Sequence, residues 1–351
     1  MSITIKEIAE QAGVSRGTVD RVLHNRGGVR PDIAEKIHRI AEQHSFRMNK
    51  AGRILAVRKQ PLTIGCLMPG VGNLFFDDVI RGYEAAQQEL ADYGVSLKIK
   101  NIKGFEPENH IAAIQSLLDE GCTALCLSTL DTPELCVFIN RVIDANIPVI
   151  AVNTDIPGTR RICYVGSDYY KGGRTAAQLL SKILAPAEQP LHIAVFTGSR
   201  NIKGHNERIS GFTDGLTAHH TAYSLIAIIE GFDNDEYVFL PAIALFDQHP
   251  EINCIYIAAS CVAGVCTALR QSAMVQPPEH IHIIVFDDLP ATKQLIKEGL
   301  IDFTICQSPF QQGYQAVHTL FNYILDTQEH PDEYILMNTF IKISENIDDN
   351  G

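Results

Sequence analysis

The stretch "TIKEIAEQAGVSRGTVDRVL", residues 4–23, decides how the first part of the chain folds. Its apolar residues fall at Ile5, Ile8, Ala9, Val14, Val19 and Val22, a spacing that fits two short helices meeting at Gly13. Glycine suits a tight turn between helices because it enters left-handed backbone without steric cost. Ser15 is placed to N-cap the second helix, its hydroxyl satisfying free amides of the first turn. A helix-turn-helix aims that N-terminal end at base edges in the DNA major groove. Arg16 then leads the reading residues, since a guanidinium grips O6 and N7 of guanine together. Gly17 offers no reach. Asp20 has two readings, accepting from a cytosine N4 or holding Arg16 or Arg21 in place. A third helix, "PDIAEKIHRIAEQH", begins at Pro31.

The charge distribution points the same way. The 351 residues carry a formal net charge of -12. Residues 1–60 alone hold 12 Lys+Arg against 6 Asp+Glu, a net of +6, while the remaining 291 hold 17 against 35, a net of -18. Attraction to phosphates is local, screened within about 8 to 10 Å at physiological salt, so a basic head on an acidic body is the footprint of a DNA-binding module. A solvated basic surface without a partner would carry the same charge, and only the motif separates the two. A hydrophobic content of 46% and a charged content of 20% indicate an ordinary globular chain, long enough for two or three packed units. No window approaches the 18 or so apolar residues of a membrane span, and "MSITIKEIAEQ" carries acids where a signal peptide carries an apolar core. The expected location is the cytoplasm. The 9 cysteines are scattered, mostly in apolar runs, and are expected as free thiols.

From Leu62 onward, "LTIGCLM", "VSLKIK", "TALCLS", "IPVIAV", "CYVGS", "LHIAVFTG", "AYSLIAIIE", "NCIYIAAS", "IHIIVFDD" and "IDFTICQS" alternate with helix-length segments. Continuous apolar strands between helices argue for parallel sheets covered on both faces, here divided into two doubly wound lobes. Ligands of such sheets bind beyond the carboxyl ends of the strands. The polar or aromatic residues there are Asn73, Phe75 and Phe76, then Ser128 and Asp131, Asn153 and Asp155, Ser167 and Asp168, Arg208, Ser260, Asp287 and Gln307. Amides, carboxylates and one Arg around aromatic faces suit a polyol, whose hydroxyls donate and accept while its C–H face packs on a ring. "GVGNLF" lacks the third glycine of a dinucleotide fingerprint, and neither "HNE" at 205–207 nor "SCVAGVC" has metal-ligand spacing. With no P-loop or nucleophile elbow either, no catalysis, cofactor or metal is expected.

The segments "TIKEIAEQAGVSRGTVDRVLHN", "FRMNKAGRILA" and "TIGCLMPGVGNLFFDDVIRGYEAA" together resemble the LacI family of bacterial transcriptional regulators, and the similarity runs through essentially the whole chain. The resemblance implies a small all-α helix-turn-helix head plus an α/β body of two parallel-sheet lobes, the periplasmic-binding-protein type I fold. It implies a DNA-binding domain over residues 1–48, a hinge over 49–61, an effector domain over 62–345 and a tail over 346–351. Within the body the lobes are expected at about 62–163 with 308–333, and about 164–307 with 334–345. The positions of Arg16 and Gly17 contact bases in that family, those of Thr18, Arg21 and Asn25 anchor the DNA backbone, and Asp20 stands where Ser is usual. The operator should therefore not be borrowed from other members. The hinge is expected to become helical on operator DNA, where Leu55 from each subunit wedges into the minor groove, which requires a homodimer about a dyad. Gly52 stands where Ala is usual, and Gly costs about 1 kcal/mol in a helix interior, so this hinge depends on DNA to fold.

The body is similar to periplasmic binders of ribose and related sugars. Asn73, Phe75 and Phe76 match their aromatic turn, with Leu74 in place of proline; Arg208, Asp287 and Gln307 fall on hydroxyl-binding positions, and Phe286 on a stacking aromatic. Asn153-Thr154 and Ser260-Cys261 replace the Asp-Arg and Asn-Asp pairs of the ribose binders, which argues against ribose itself but retains a small sugar or polyol. The resemblance implies a repressor of carbohydrate-utilisation genes that binds double-stranded operator DNA. Two alternatives remain open, a solute-binding component of a sugar transporter and a regulator whose effector is a phosphosugar or purine.

Overall fold

The computed structural model describes residues 3–23, 28–44, 62–184, 190–272, 280–325 and 330–348. The chain divides into two compact units, Met1–Lys59 and Gln60–Gly351. The expected hinge, with Gly52 and Leu55, lies outside the described residues, as does Asn25.

In the first unit, helices α1 (Ile5–Ala12), α2 (Arg16–Leu23) and α3 (Pro31–Gln43) enclose a small core of Ile8, Ala9, Ala12, Val19, Val22, Ile37, Ile40 and Ala41. The start of α1 is a reciprocal cap, with the Thr4 hydroxyl accepting from the Glu7 N–H while the Glu7 carboxylate accepts from the Thr4 N–H. Gly13 ends that helix in left-handed backbone at φ 74°. The Lys36 ammonium on α3 donates to the Ala12 carbonyl at 3.1 Å, satisfying an orphan acceptor at the end of α1 and tying the two helices together.

The second unit holds two six-stranded sheets. The first contains β1 (Leu62–Met68), β2 (Val95–Asn101), β3 (Ala124–Leu127), β4 (Val149–Val152), β5 (Tyr164–Gly166) and β11 (Tyr334–Leu336), in the order β11-β5-β4-β3-β1-β2. The second contains β6 (Leu191–Thr197), β7 (Tyr223–Glu230), β8 (Cys254–Ile257), β9 (His282–Phe286), β10 (Phe303–Cys306) and β12 (Phe340–Lys342), in the order β12-β10-β9-β8-β6-β7. All pairings are parallel except β10 with β12. Leaving the last strand of each aside, the two sheets are wound alike. All ten apolar runs of the sequence become strands, whereas β11 and β12 were not expected: each is three residues long and largely exposed, so neither carries an apolar run.

The strand pairing corrects the expected lobe boundary. Residues 164–166 pair with β4, and residues 334–336 pair with them in turn, so both belong to the first lobe and not the second. Helix α4 (Phe75–Leu90) packs on α12 (Pro309–Leu325) in the first lobe, and α7 (Tyr169–Ile183) packs on α8 (Lys203–Ala218) in the second. The chain therefore crosses between lobes at 166–169, 306–309 and 336–340.

Alternation along the central strands of the second sheet fills two cores. Ile193, Val195, Cys254, Tyr256, Ile284 and Phe286 face one side with Phe212 of α8, while Ala194, Phe196, Ile255, Ile257, Ile283 and Val285 face the other. Apart from the half-buried His192 near the start of β6, every position in these strands is buried, which is why they read as continuous apolar runs. The α7–α8 contact depends on two glycines at which backbone meets backbone. A Cβ added at Gly173 would lie 2.2 Å from the Arg208 carbonyl oxygen, and one at Gly211 would lie 2.1 Å from that of Tyr170. Gly211→Ala is expected to force the helices apart and to cost about 1–3 kcal/mol of body stability, seen as a lower guanidinium midpoint. An unchanged midpoint would mean that the helices accommodate the methyl group freely.

Candidate functional site

In the head, the Ser15 hydroxyl accepts the Thr18 N–H at 3.1 Å and lies 2.9 Å from the Thr18 hydroxyl, so Ser15 acts as the expected cap of α2. Arg16, Gly17 and Arg21 are exposed on that helix, whereas Thr18 and Asp20 are half-buried.

In the body, a cleft of about 550 Å³, a volume that includes space open to solvent, is lined from both lobes. Its walls come from the carboxyl ends of strands in both sheets: Asn73 and Phe75–Phe76 after β1, Asn153–Thr154 after β4, Asp233 after β7, Ser260 after β8, Asp287 after β9 and Gln307 after β10. Helices α7 and α8 add Tyr169, His205 and Arg208.

Arg208 is the most constrained member. It is only 5% exposed, and its guanidinium carbon sits 4.0 Å from the Phe286 ring centroid and 4.7 Å from that of Tyr169. Nη1 donates to the Ala258 carbonyl at 2.9 Å, and Nη2 lies 3.9 Å from the Asp287 carboxylate. Nε is buried with no hydrogen-bond partner. Burial pushes the Asp287 carboxyl up to about 6, even though Arg208 and two donors from Gln307 favour the ionised form.

From Asp287 a chain of hydrogen bonds crosses to the other lobe. The Gln307 amide donates to Asp287 at 3.1 Å, Gln312 donates to the Gln307 oxygen at 3.4 Å, and the Asn153 amide donates to the Gln312 oxygen at 3.2 Å and to the Tyr169 hydroxyl at 2.8 Å. That hydroxyl returns a bond to the Asn153 carbonyl at 2.7 Å. Asn153 and Asp287 occupy equivalent strand ends in the two sheets, and both adopt left-handed backbone, with φ 61° and 64°. Asn and Asp enter that region more readily than other non-glycine residues, and single strained residues of this kind gather at functional sites.

On the remaining wall, burial pushes the His205 ring down to about 4, helped by the Arg208 charge and opposed by Asp233. The neutral ring accepts the Ser199 N–H on Nδ1 at 3.2 Å. Asp233, at φ 52°, accepts the Ser260 N–H at 3.1 Å, and the Ser260 hydroxyl is buried without a partner. Phe105, after β2, and Phe232, after β7, bring their rings within 6.1 Å across the two lobes.

Eight expected residues line this cleft: Asn73, Phe75, Phe76, Asn153, Arg208, Ser260, Asp287 and Gln307. Five do not. Phe286 is buried behind Arg208, which covers its ring and takes the stacking position. Asp155 is committed to a buried pair with Arg161 at 2.5 Å and to Lys203 at 3.3 Å. Ser128 and Ser167 are buried in their strand ends, and Asp131 faces Cys136, whose thiol lies 3.7 Å away. Asp168 caps α7 through the Lys171 N–H instead of facing the cleft. The sequence reading missed Tyr169, His205, Asp233 and Phe105. Applying the strand-end rule to β2 and β7 would have found Phe105 and Asp233, and His205 lies three residues before Arg208 on the same helix face.

A DNA-reading head and a two-lobed body with a polar cleft define a ligand-responsive regulator of transcription. The chain belongs to the periplasmic binding protein domain family, which matches residues 64–328, and its residues 4–49 match the lacI family of bacterial regulatory proteins. It is 27% identical over 92% of its length to the ribose operon repressor of Lactococcus lactis, covering 91% of that protein. It is also 27% identical to the HTH-type transcriptional regulator GalS of Salmonella typhimurium, over 83% of this chain and 82% of that one. Among solved structures, GanP, a glucose-galactose binding protein from Geobacillus stearothermophilus, superposes with a TM-score of 0.73 at 25% identity, over 82% of this chain and 99% of its own.

The bridging chain of bonds makes Gln312 testable. It is fully buried behind the lining, and Gln312→Leu leaves the Asn153 and Gln307 amides each one partner short. We expect a loss of about 1–3 kcal/mol in denaturant titration. A neutral outcome would show that water replaces the amide.

Proposed function

We propose that this protein is a homodimeric repressor whose operator affinity is set by a small neutral sugar or polyol held between the two lobes. The observation that carries the reading is the bonding chain from Arg208 through Asp287, Gln307 and Gln312 to Asn153, which presents donors and acceptors to one cleft from both lobes. A hydroxyl-rich ligand can both donate to Asp287 and accept from Arg208 and the amides. Charge argues against a phosphorylated effector: among the described lining residues Arg208 is the single Lys or Arg, facing Asp233 and Asp287. The name of the Lactococcus lactis relative, a ribose operon repressor, supports the direction of control. Such a regulator works where the DNA is, in the cytoplasm, and acts by binding and release, so its ligand is recovered unchanged.

The coupling is linkage: effector and operator each change the affinity of the other by the same factor. Fluorescence anisotropy on operator DNA, titrated with pentoses, hexoses, uronates and their phosphates, tests it and reads the sign. If none of these alters DNA affinity, the effector half of the proposal is wrong.

The Asp287 carboxyl is raised to about 6, so a ligand hydroxyl that donates to the carboxylate should bind more tightly as pH rises from 5 to 7. Asp287→Asn should weaken binding and flatten that profile in calorimetry; a profile of the same slope in the variant would place the ionisation elsewhere. Stability runs the other way. The folded state holds a proton between 3.8 and about 6 that the unfolded chain releases, so this group's contribution falls as pH rises through that window. In the head, Arg16→Ala should relax preference at one base pair per half-site by about 1–3 kcal/mol. Equal weakening on all DNA would make Arg16 a phosphate contact.

A further inference from the structure

The second sheet carries a distinct cluster at the edge opposite the cleft. The cleft takes the carboxyl ends of its strands, whereas His282 opens β9 and Asp302 immediately precedes β10. A five-residue strand spans roughly 16 Å, so the two places do not overlap. His280 and His282 are two positions apart at the start of β9, and their ring centroids are 4.5 Å apart at an interplanar angle of 77°. Both rings turn to the same carboxylate. His280 Nε2 is 3.2 Å from Asp302 Oδ1, and His282 Nδ1 is 3.4 Å from Oδ2.

We infer that His280, His282 and Asp302 form a binding site for a divalent transition-metal cation, with Zn²⁺ as the representative ion. One donor atom from each lies within 4.8 Å of the others. Four ligands at 2.0–2.1 Å in a tetrahedron stand about 3.4 Å from one another, so three donor atoms within 4.8 Å close onto an ion by modest side-chain rotation. Two imidazoles and a carboxylate suit a borderline cation, and the exposure of His280 leaves the fourth position to water. The carboxylate is already fixed: Oδ2 accepts the Ile283 N–H at 2.8 Å, and the Asp302 N–H donates to the Ile283 carbonyl at 3.0 Å. This is the outer support that metal-binding carboxylates receive. Burial works to raise the Asp302 carboxyl, yet His282, the Ile283 N–H and His280 hold it below its usual value and keep it ionised for a cation. The sequence reading tested only the histidine at 205 and the cysteines near 261 for metal spacing. A pair of histidines joined to an acid twenty residues later becomes visible only when β9 and β10 lie side by side.

The test uses the full chain, stripped with chelator and dialysed, titrated with ZnCl₂ in calorimetry and with Co²⁺ in visible absorption. One tight equivalent is expected, with the intense visible bands of low-coordinate Co²⁺. His280→Ala alters an exposed side chain, and Asp302→Asn keeps an acceptor for Ile283, so both variants should fold with the metal-free midpoint of the wild type. Each should lose at least about tenfold in affinity and change the Co²⁺ spectrum. Absence of a tight equivalent in the wild type, or equal binding and unchanged spectra in both variants, overturns the site.

Discussion

The second lobe and the cleft both depend on the burial of the Arg208 guanidinium. A charge taken out of water costs several kcal/mol unless its surroundings replace the hydration. Here the replacement is shared among the Ala258 carbonyl, the Asp287 carboxylate and the faces of Phe286 and Tyr169. Each of these is fixed by the fold. Phe286 and Ala258 lie at the ends of neighbouring strands β9 and β8, Tyr169 opens α7, and the Tyr256 hydroxyl donates to the Arg208 carbonyl. The backbone approach at Gly173 and Gly211 brings α7 close enough for its tyrosine to cover the guanidinium. Close helix packing, strand order and site electrostatics are therefore one constraint, because loosening any of them would leave a buried cation without a partner.

The similar winding of the sheets explains why the site has two centres. Asn153 and Asp287 end equivalent strands, share left-handed backbone and each anchor a polar cluster, yet they differ in charge. The centre around Asn153 is neutral, built of first-lobe amides and the Tyr169 phenol that reaches over from the second lobe, while the other pairs a carboxylate with a guanidinium. A ligand between them meets neutral hydrogen bonding on one face and charge-assisted bonding on the other, an asymmetry that fixes its orientation.

How much of this was legible in the sequence follows from what each signal measures. Apolar residues report burial, so the inner strands stood out as continuous runs, the half-buried outer strands β2 and β7 were visible through their remaining apolar positions, and the short, exposed β11 and β12 were not. Missing those two strands also misplaced the lobe boundary, since the membership of residues 164–166 is settled by pairing partners distant in sequence. Strand-end position predicted Asp287 and Gln307 as lining because the carboxyl ends of both sheets open on the cleft, whereas Arg208 reaches it from within α8 and not from a strand end. It overreached at Asp155, whose neighbours Arg161 and Lys203 neutralise it within the protein. Gln312 was invisible for a different reason: it sits one turn inside a helix and matters only because Gln307 and Asn153 approach it from different lobes.

The cleft's polar groups are already largely paired with one another, and that shapes what binding can achieve. A ligand entering between Asn153 and Asp287 exchanges hydrogen bonds more than it adds them, so the net gain from each hydroxyl is modest. Discrimination is under no such limit. A hydroxyl pattern that displaces a Gln307 or Asn153 bond without replacing it leaves a buried group unsatisfied, at about 1–3 kcal/mol each. The Arg208 Nε and the Ser260 hydroxyl are buried without a partner, and both lie in the second lobe, where a hydrogen bond from a ligand would break no existing bond. Binding energy should therefore concentrate on that side, while the first lobe, joined to the second through Gln312 and the Lys203–Asp155 pair, senses which ligand has arrived. A ligand moves such an equilibrium only by the difference in its affinity for the two arrangements. The bonds that cross between lobes are where this difference is made.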